Sequence, residues 1–184
     1  MKALLIVDLQ NDFLPGGALP APDGNNIIPV VNNLMEDFHF VIASKDWHPN
    51  ESVHFEKWPV HCVRGSLGSK FPAALKSKNI DLVLRKGTED TDDGYSAFEA
   101  TNVNLVDVLN EREVTELYVC GLTTEYCVKE TVLDAIKNGF KTFVIKNATE
   151  AVKANPGDEE KAWKVMYEAG AVIVDDIKYN GLSA

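Results

Sequence analysis

Short runs of apolar residues alternate along this chain with longer stretches in which apolar residues recur every three or four positions. The short runs are rich in Val, Ile, Leu and Phe and stop at charged or small residues, which is typical of β-strands. The longer stretches have the spacing of amphipathic helices. We predict strands at residues 3–8, 40–44, 82–85, 117–121, 142–145 and 171–175.

Helices are predicted between these strands, at residues 25–38, 103–112, 125–138 and 158–169, with a shorter one near 72–77. The strands are apolar throughout rather than alternating, which indicates burial on both faces of a sheet. This order predicts an α/β fold: a doubly wound, mainly parallel six-stranded sheet with helices on both faces. No shift in composition marks a boundary, so we expect residues 1–184 to form a single domain.

The amino-acid composition and net charge limit which kinds of molecule this protein is expected to bind. Apolar residues make up 45% of the chain and charged residues 25%, as in ordinary soluble globular proteins. The formal charge of −10, without a basic stripe, argues against a nucleic-acid or anionic-membrane partner. The apolar opening stops at Asp8, which is too short for a signal peptide or a membrane span. Three widely spaced cysteines do not make a disulfide framework, so we expect a reducing, cytoplasmic setting.

Reactive side chains follow four consecutive predicted strands. Asp8 ends the first, Asp46 and His48 follow the second, Lys86 ends the third and Cys127 follows the fourth. The carboxyl ends of parallel strands meet at one edge of the sheet, where ligands bind. A single Asp there is often a turn residue, and a single Lys is usually a solvated charge. Four such positions in succession favour a functional site.

Cys127 lies where a predicted helix begins, shortly after Gly121. Unpaired N–H groups and the positive end of the helix dipole would favour its thiolate. The alternative is a small buried hydrophobe, the commoner role of an isolated cysteine. With Asp8 to move the proton and Lys86 to lower the thiol pKa and balance charge, the three residues predict acyl transfer from a carboxamide through a thioester.

A second cluster predicts a metal site. Three of the four histidines, His48, His54 and His61, lie in the loop-like segment that begins with Asp46. An Asp-x-His pair brings an oxygen and a nitrogen ligand close together, and His61 can complete the set from the far side of the loop. The alternative is a group of surface histidines. The mixed donor set suits a divalent ion, with zinc, iron and manganese all compatible.

The motifs at these positions resemble those of the isochorismatase-like cysteine hydrolases. They are Asp-Leu-Gln-Asn-Asp-Phe at residues 8–13, the Lys86-Gly87 pair, and Gly-Leu-Thr-Thr-Glu-Tyr-Cys-Val at residues 121–128. Within that superfamily, Asp-Trp-His-Pro at 46–49 and Trp-Pro-Val-His-Cys-Val at 58–63 resemble the nicotinamidases. The resemblance covers essentially the whole chain, in the expected order. It implies hydrolysis of nicotinamide to nicotinate and ammonia in NAD salvage.

The resemblance also implies catalytic roles for single residues. Asp8, Lys86 and Cys127 match the catalytic triad of the family. The backbone N–H groups of Thr123 and Cys127 match its oxyanion hole, and a cis peptide bond is implied before Thr123. Such donors stabilise a tetrahedral oxyanion selectively.

The metal ligands and the pocket follow from the same resemblance. The implied ligands are Asp46, His48 and His61, with His54 matching a ligand of some nicotinamidases. In the family the metal binds the pyridine nitrogen and so presents the carboxamide to the thiolate. For this chain we expect zinc first, with iron or manganese also compatible. The implied aromatic wall consists of Phe13, Trp58 and Tyr95, although core packing is the simpler role for Phe13 and Tyr95. Family chemistry also implies activity on pyrazinamide, and relatives are often homo-oligomers.

Two other functions fit the same residues. One is a related cysteine amidohydrolase or ureidohydrolase that acts on another small amide, which a substrate panel would reveal. The other is a non-catalytic metal- or ligand-binding module, whose function would survive Cys127→Ala. The acidic segment 89–94 lacks the spacing of an EF-hand, so we expect a solvated loop, in a region that borders the site in the family.

Overall fold

The computed structural model describes residues 1–175, in which six strands form one sheet. The strands are β1 (Lys2–Val7), β2 (Val41–Asp46), β3 (Leu82–Lys86), β4 (Glu116–Leu122), β5 (Lys141–Glu150) and β6 (Val172–Val174). The α-helices are α1 (Ile27–Leu34), α2 (Leu105–Glu111), α3 (Lys129–Lys137) and α4 (Asp158–Ala169). None of the helices in residues 1–175 is long and apolar enough to cross a lipid bilayer.

The sheet has the strand order β3-β2-β1-β4-β5-β6, and every neighbouring pair is parallel. The order reverses between β1 and β4. Connections that leave these two strands therefore run in opposite directions, and a crevice opens at their carboxyl ends. The predicted doubly wound α/β fold is confirmed.

Apolar side chains fill a core on each face of the sheet. One face is covered by α1, with Ile27, Ile28, Val31 and Leu34 against β1 residues Leu4 and Ile6. The other face is covered by α2, α3 and α4, with buried residues Leu105, Leu109, Val132, Ala135 and Met166 in one cluster with Leu5 and Val7. Because the sheet is covered on both faces, polar groups accumulate where the strands end.

Two predicted helices are interrupted. The helix predicted at 25–38 consists of α1 with a 3-10 helix at each end, Gly24–Asn26 and Met35–Asp37. The helix predicted at 125–138 begins with a wider π-helical turn, Thr124–Val128, and continues as α3. The π-helical turn lies directly after β4 and contains Cys127, so the irregularity falls at the candidate nucleophile.

The short helix predicted near 72–77 is wrong. This segment forms turns, and only a 3-10 helix at Ser77–Asn79 follows. Asn32 of α1 donates its side-chain amide to the carbonyl of Ala74 at 2.9 Å and accepts from the backbone N–H of Lys76 at 2.8 Å. These tertiary hydrogen bonds satisfy backbone groups that a helix would have paired internally.

Strand β5 is longer than predicted. Its apolar run ends at Ile145, but the strand continues through the exposed Lys146 and Asn147 to Glu150. A register shift opposite β4 accommodates these residues, and pairing resumes between Gly121 and Thr149. The polar residues Lys146 and Asn147 were interpreted as the end of the strand, but they form an irregularity within it. The extension brings the end of β5 beside the end of β4.

Gly121 allows β1 and β4 to approach closely at the rim. Its φ is +111°, and a Cβ atom there would lie 2.1 Å from the carbonyl oxygen of Val7. One residue further on, the Leu122–Thr123 peptide bond is cis, as the family resemblance implied. The backbone on which the site is built is therefore tightly constrained at Gly121.

We predict that Gly121→Ala destabilises the protein more than Gly139→Ala. Gly139 also has a positive φ, +88°, but no atom lies within 4 Å of its added Cβ. Both variants adopt an unfavourable backbone, while Gly121→Ala must also displace the Val7 carbonyl, at a further cost of about 1–3 kcal/mol. Urea unfolding measures both free energies. Equal losses would contradict the close approach of β1 and β4.

Candidate active site

Lys86 ends β3 as a fully buried ammonium group surrounded by acceptors. Its Nζ lies 2.5 Å from Asp46 Oδ1, 2.7 Å from Asp8 Oδ2, 2.6 Å from the Gly94 carbonyl oxygen and 3.4 Å from Cys127 Sγ. Burial acts to lower the pKa of Lys86, but the carboxylates of Asp46 and Asp8 outweigh it and raise the pKa well above its usual value. The lysine is therefore charged.

Asp8 follows β1 with a left-handed backbone, φ 45°. Its Oδ1 accepts a hydrogen bond from the Ser44 hydroxyl at 2.7 Å. Burial raises the pKa of Asp8 to about 6, against the opposing effect of Lys86. Its Oδ2 forms an ion pair with the Lys86 ammonium group at 2.7 Å. Asp8 can thus be ionised near neutral pH and still accept a proton.

Cys127 is a buried thiol rather than a resting thiolate. Burial raises the pKa of Cys127 well above its usual value; Lys86 lowers it, but Asp8 and Asp46 raise it further. The sequence-based expectation that the helix start and the lysine would favour the thiolate is wrong for the resting protein. That expectation omitted the burial of the thiol, which is the main cause of its raised pKa, and the nearby carboxylate of Asp46.

The three predicted histidines lie together, fully or nearly fully buried. One possible ligand atom from each of His48, His54 and His61 lies within 4.8 Å of the others. Asp46 Oδ2 is 3.5 Å from His48 Nε2 and 3.6 Å from His61 Nε2. Asp46 therefore contacts Lys86 through one carboxylate oxygen and faces the histidines with the other.

The histidine nitrogens fit the requirements of a divalent metal ion. His61 Nδ1 donates to the carbonyl oxygen of Pro59 at 2.6 Å, and His54 Nδ1 pairs with Asp92 Oδ1 at 3.1 Å. Both rings then keep Nε2 as the nitrogen with a free lone pair. Burial lowers the pKa of His54 to about 4, so its ring is neutral. Neither nitrogen of the buried His48 has a hydrogen-bond partner within residues 1–175.

Two residues outside the predicted set support the segment 46–61, which we call the metal loop. The buried Gln10 side chain donates to the Asp46 carbonyl oxygen at 2.9 Å and accepts from the Asp46 N–H at 2.8 Å. Gly87 leaves room for the imidazole ring of His48, because a Cβ atom at Gly87 would lie 2.5 Å from Cε1 of that ring. Gln10 and Gly87 occur in the motifs quoted above, but their contacts were not predicted.

A cleft opens beside the thiol and the histidine cluster. The predicted site residues that line it are Phe13, Asp46, Trp58, His54, His61, Tyr95, Thr123 and Cys127. Four further residues line it that were not among the predicted site residues: Leu19, Gly94, Tyr126 and Val152. Tyr126 has a recognisable signal, since it precedes the cysteine in the motif. Leu19 lies in a loop and Val152 follows the unpredicted end of β5.

The aromatic residues of the cleft are held by contacts with one another. Trp58 Nε1 donates to the Tyr95 hydroxyl at 3.0 Å, and the Trp58 ring meets Tyr126 edge-on at a centroid distance of 4.8 Å. The Phe13 ring lies 5.4 Å from that of His61. All three predicted wall residues therefore border the cleft, including Phe13 and Tyr95, for which core packing was the alternative.

The acidic segment 89–94 packs on the metal loop instead of being freely solvated. Asp90 accepts a hydrogen bond from the N–H of Val53 at 2.8 Å. Asp92 pairs with His54 and with the Lys57 ammonium group. The expectation of a solvated loop holds for the exposed side chains of Glu89 and Asp93 and fails for Asp92.

Comparison with known proteins agrees with this geometry. The chain matches the Isochorismatase domain family over residues 2–177. It is 39% identical to a nicotinamidase of Escherichia coli, with 94% of this chain and 93% of that protein aligned.

Solved structures give the same grouping. A Pyrococcus horikoshii pyrazinamidase in complex with zinc is 39% identical, with a TM-score of 0.85 over 94% of this chain and 98% of that one. PnC1 from L. infantum in complex with nicotinate is 34% identical, with a TM-score of 0.88 over 95% and 92% of the two chains. The chain therefore belongs to the isochorismatase domain family, in its nicotinamidase and pyrazinamidase group.

Proposed function

We propose that this protein hydrolyses nicotinamide to nicotinate and ammonia, and that it accepts pyrazinamide in the same cleft. One observation carries the proposal: the Cys127 thiol and two histidines of the buried cluster, His54 and His61, border a single aromatic cleft, and His48 lies beside these two. The thiol supplies a nucleophile that can attack an amide carbon. The histidines can hold a metal ion, and such an ion would bind the nitrogen of a pyridine-like ring. The relatives named above, a nicotinamidase and a nicotinate complex, support this substrate class.

The first half of the reaction transfers the acyl group to sulfur. Asp8 takes the proton of the Cys127 thiol, and the sulfur attacks the carboxamide carbon. The backbone N–H groups of Thr123 and Cys127 donate to the developing oxyanion. As the intermediate collapses, the C–N bond breaks, Asp8 returns its proton to the leaving nitrogen, and ammonia departs from a thioester.

The second half restores the enzyme. Asp8, ionised again, takes a proton from water as the water oxygen attacks the thioester carbon. The C–S bond breaks, the proton passes to sulfur, and nicotinic acid leaves as nicotinate. Lys86 remains charged throughout and offsets the negative charge that moves between Asp8 and Cys127. A carboxyl group with a pKa of about 6 suits both roles, since it can lose and gain a proton near neutral pH.

A divalent metal is proposed at the histidine cluster, held by Asp46, His48, His54 and His61. Zinc is the first candidate, as in the Pyrococcus horikoshii relative, and iron or manganese suits the same donors. When bound, the ion supplies a Lewis-acid contact that orients the pyridine nitrogen of the substrate. The chain itself orients the ring through the aromatic side chains of the cleft and keeps water from its faces.

Three remaining expectations stay predictions: a single domain, a cytoplasmic location and homo-oligomerisation. Cys62, Cys120 and Cys127 are all free thiols in the structure, which supports a reducing setting. The core spans both faces of one sheet, which supports the single domain.

We predict that Cys127→Ala and Lys86→Ala each lower kcat for ammonia release from nicotinamide by at least about 10³-fold. The first removes the nucleophile. The second leaves two buried carboxylates unpaired beside the thiol. Cys120→Ala is the matched control, because this thiol lies buried within β4 and away from the cleft. Retained activity in Cys127→Ala would remove the thioester mechanism and favour the binding-module alternative.

The pH profile should report the ionisation of Asp8. Its pKa is raised to about 6, so the base form is lost as the pH falls through that value. We expect kcat/KM to be level above pH 7 and to fall by about tenfold per unit below pH 6. Bound metal is measured at each pH, so that loss of metal is not mistaken for loss of the base. A level profile down to pH 4.5 with metal retained would contradict this role.

Metal removal should lower the activity toward substrates that carry a ring nitrogen more than the activity toward substrates that lack one. We expect metal-replete protein to prefer nicotinamide over benzamide by at least about 100-fold in kcat/KM, because the anchor fixes the carboxamide near the thiol. Chelation should abolish most of this preference, and added zinc should restore it. Turnover of another small amide, with none of nicotinamide, would indicate the amidohydrolase alternative instead.

A further inference from the structure

A polar cluster outside the triad joins the metal loop to the segment after Lys86. At its centre is the carboxylate of Asp92. Its Oδ1 lies 3.1 Å from His54 Nδ1 and accepts from the Tyr95 hydroxyl at 3.1 Å. Its Oδ2 pairs with the ammonium group of Lys57. Three side chains from two segments thus converge on one carboxylate.

The contact with His54 decides which ring nitrogen can bind a metal. An ionised carboxylate only accepts hydrogen bonds, so His54 Nδ1 must carry the proton in this pair. Nε2 is then the nitrogen with a free lone pair. The ring is held parallel to that of His48 at a centroid distance of 4.5 Å, inside the histidine cluster. Asp92 therefore selects both the tautomer and the orientation of His54.

The contact with Tyr95 extends the same control to the cleft. The Tyr95 hydroxyl donates to Asp92 and accepts from Trp58 Nε1 at 3.0 Å. Tyr95 and Trp58 both line the cleft, whereas Asp92 does not. The carboxylate thus anchors part of the wall that would pack against a substrate ring, without touching the substrate.

We propose that Asp92 is a positioning residue that prepares the metal centre and the cleft together, by fixing the Nδ1–H tautomer of His54 and the hydroxyl of Tyr95. This inference rests on the proposed metal site. It adds a residue that belongs to none of the motifs discussed above, and it gives the acidic loop a role in assembling the site.

The primary test is the affinity of the metal-free protein for Zn²⁺, measured by competition with a chromophoric chelator. Asp92→Ala should weaken zinc binding by about 10–100-fold, the usual effect of losing the hydrogen-bond partner of a ligating histidine. Asp93→Ala is the matched control: it removes the same charge from the adjacent position, and Asp93 has no hydrogen bond or ion pair within residues 1–175. Equal affinities for the two variants would overturn the proposal.

A double-mutant cycle separates positioning from long-range electrostatics. If Asp92 acts through His54, then Asp92→Ala should not weaken zinc binding further in a His54→Ala background. An undiminished effect in that background would overturn the assignment. Failure of the wild-type protein to bind zinc is a different result, because it would remove the proposed metal site itself.

The cleft is tested separately at saturating zinc. There, Asp92→Ala should raise KM for nicotinamide more than it lowers kcat, since the Tyr95 and Trp58 wall is loosened while the triad is intact. An unchanged KM would overturn the role of Asp92 in the cleft.

Discussion

The buried ammonium group of Lys86 is the interaction on which the rest of the site depends. Two carboxylates and a thiol would not be stable together at the fully buried end of a sheet without a compensating charge. Lys86 provides that charge and contacts Asp8, Asp46 and Cys127 at once. Because Asp46 also faces the histidines, the lysine links the acyl-transfer residues to the metal loop. The two halves of the site therefore share an electrostatic foundation.

The fold allows this concentration of charge. A parallel sheet covered on both faces leaves its strand ends as the place where buried polar groups can gather. The strand order reverses between β1 and β4, which opens the crevice beside the end of β1 and the turn that carries Cys127. The fold thus assembles the site from residues far apart in the chain.

Sequence patterns predicted the sheet, the four longer helices in outline, and the main chemical groups of the site. They succeeded because apolar runs and strand ends are local features, and because the motifs carry a family resemblance. They failed where a long-range side-chain contact decides the structure. The hydrogen bonds of Ser44 with Asp8 and of Gln10 with Asp46 each join positions 36 residues apart, and neither pairing has a local sequence signal. The raised pKa of the Cys127 thiol also depends on the tertiary structure, because it results first from burial and then from the nearby carboxylates of Asp8 and Asp46.

The metal loop has a consequence for how such a protein can diversify. The proposed metal donors lie in residues 46–61: Asp46 ends β2, and the three histidines belong to the connection between β2 and β3. Asp8, Lys86 and Cys127, by contrast, lie at the ends of three different strands. An insertion, deletion or replacement in that connection can change what anchors the substrate while the nucleophile and its partners stay in place. If the proposed roles hold, the histidine connection determines substrate preference, while the ends of the strands, including Asp46, hold the acyl-transfer residues. Evolution or protein engineering could vary the connection without rebuilding the ends of the strands.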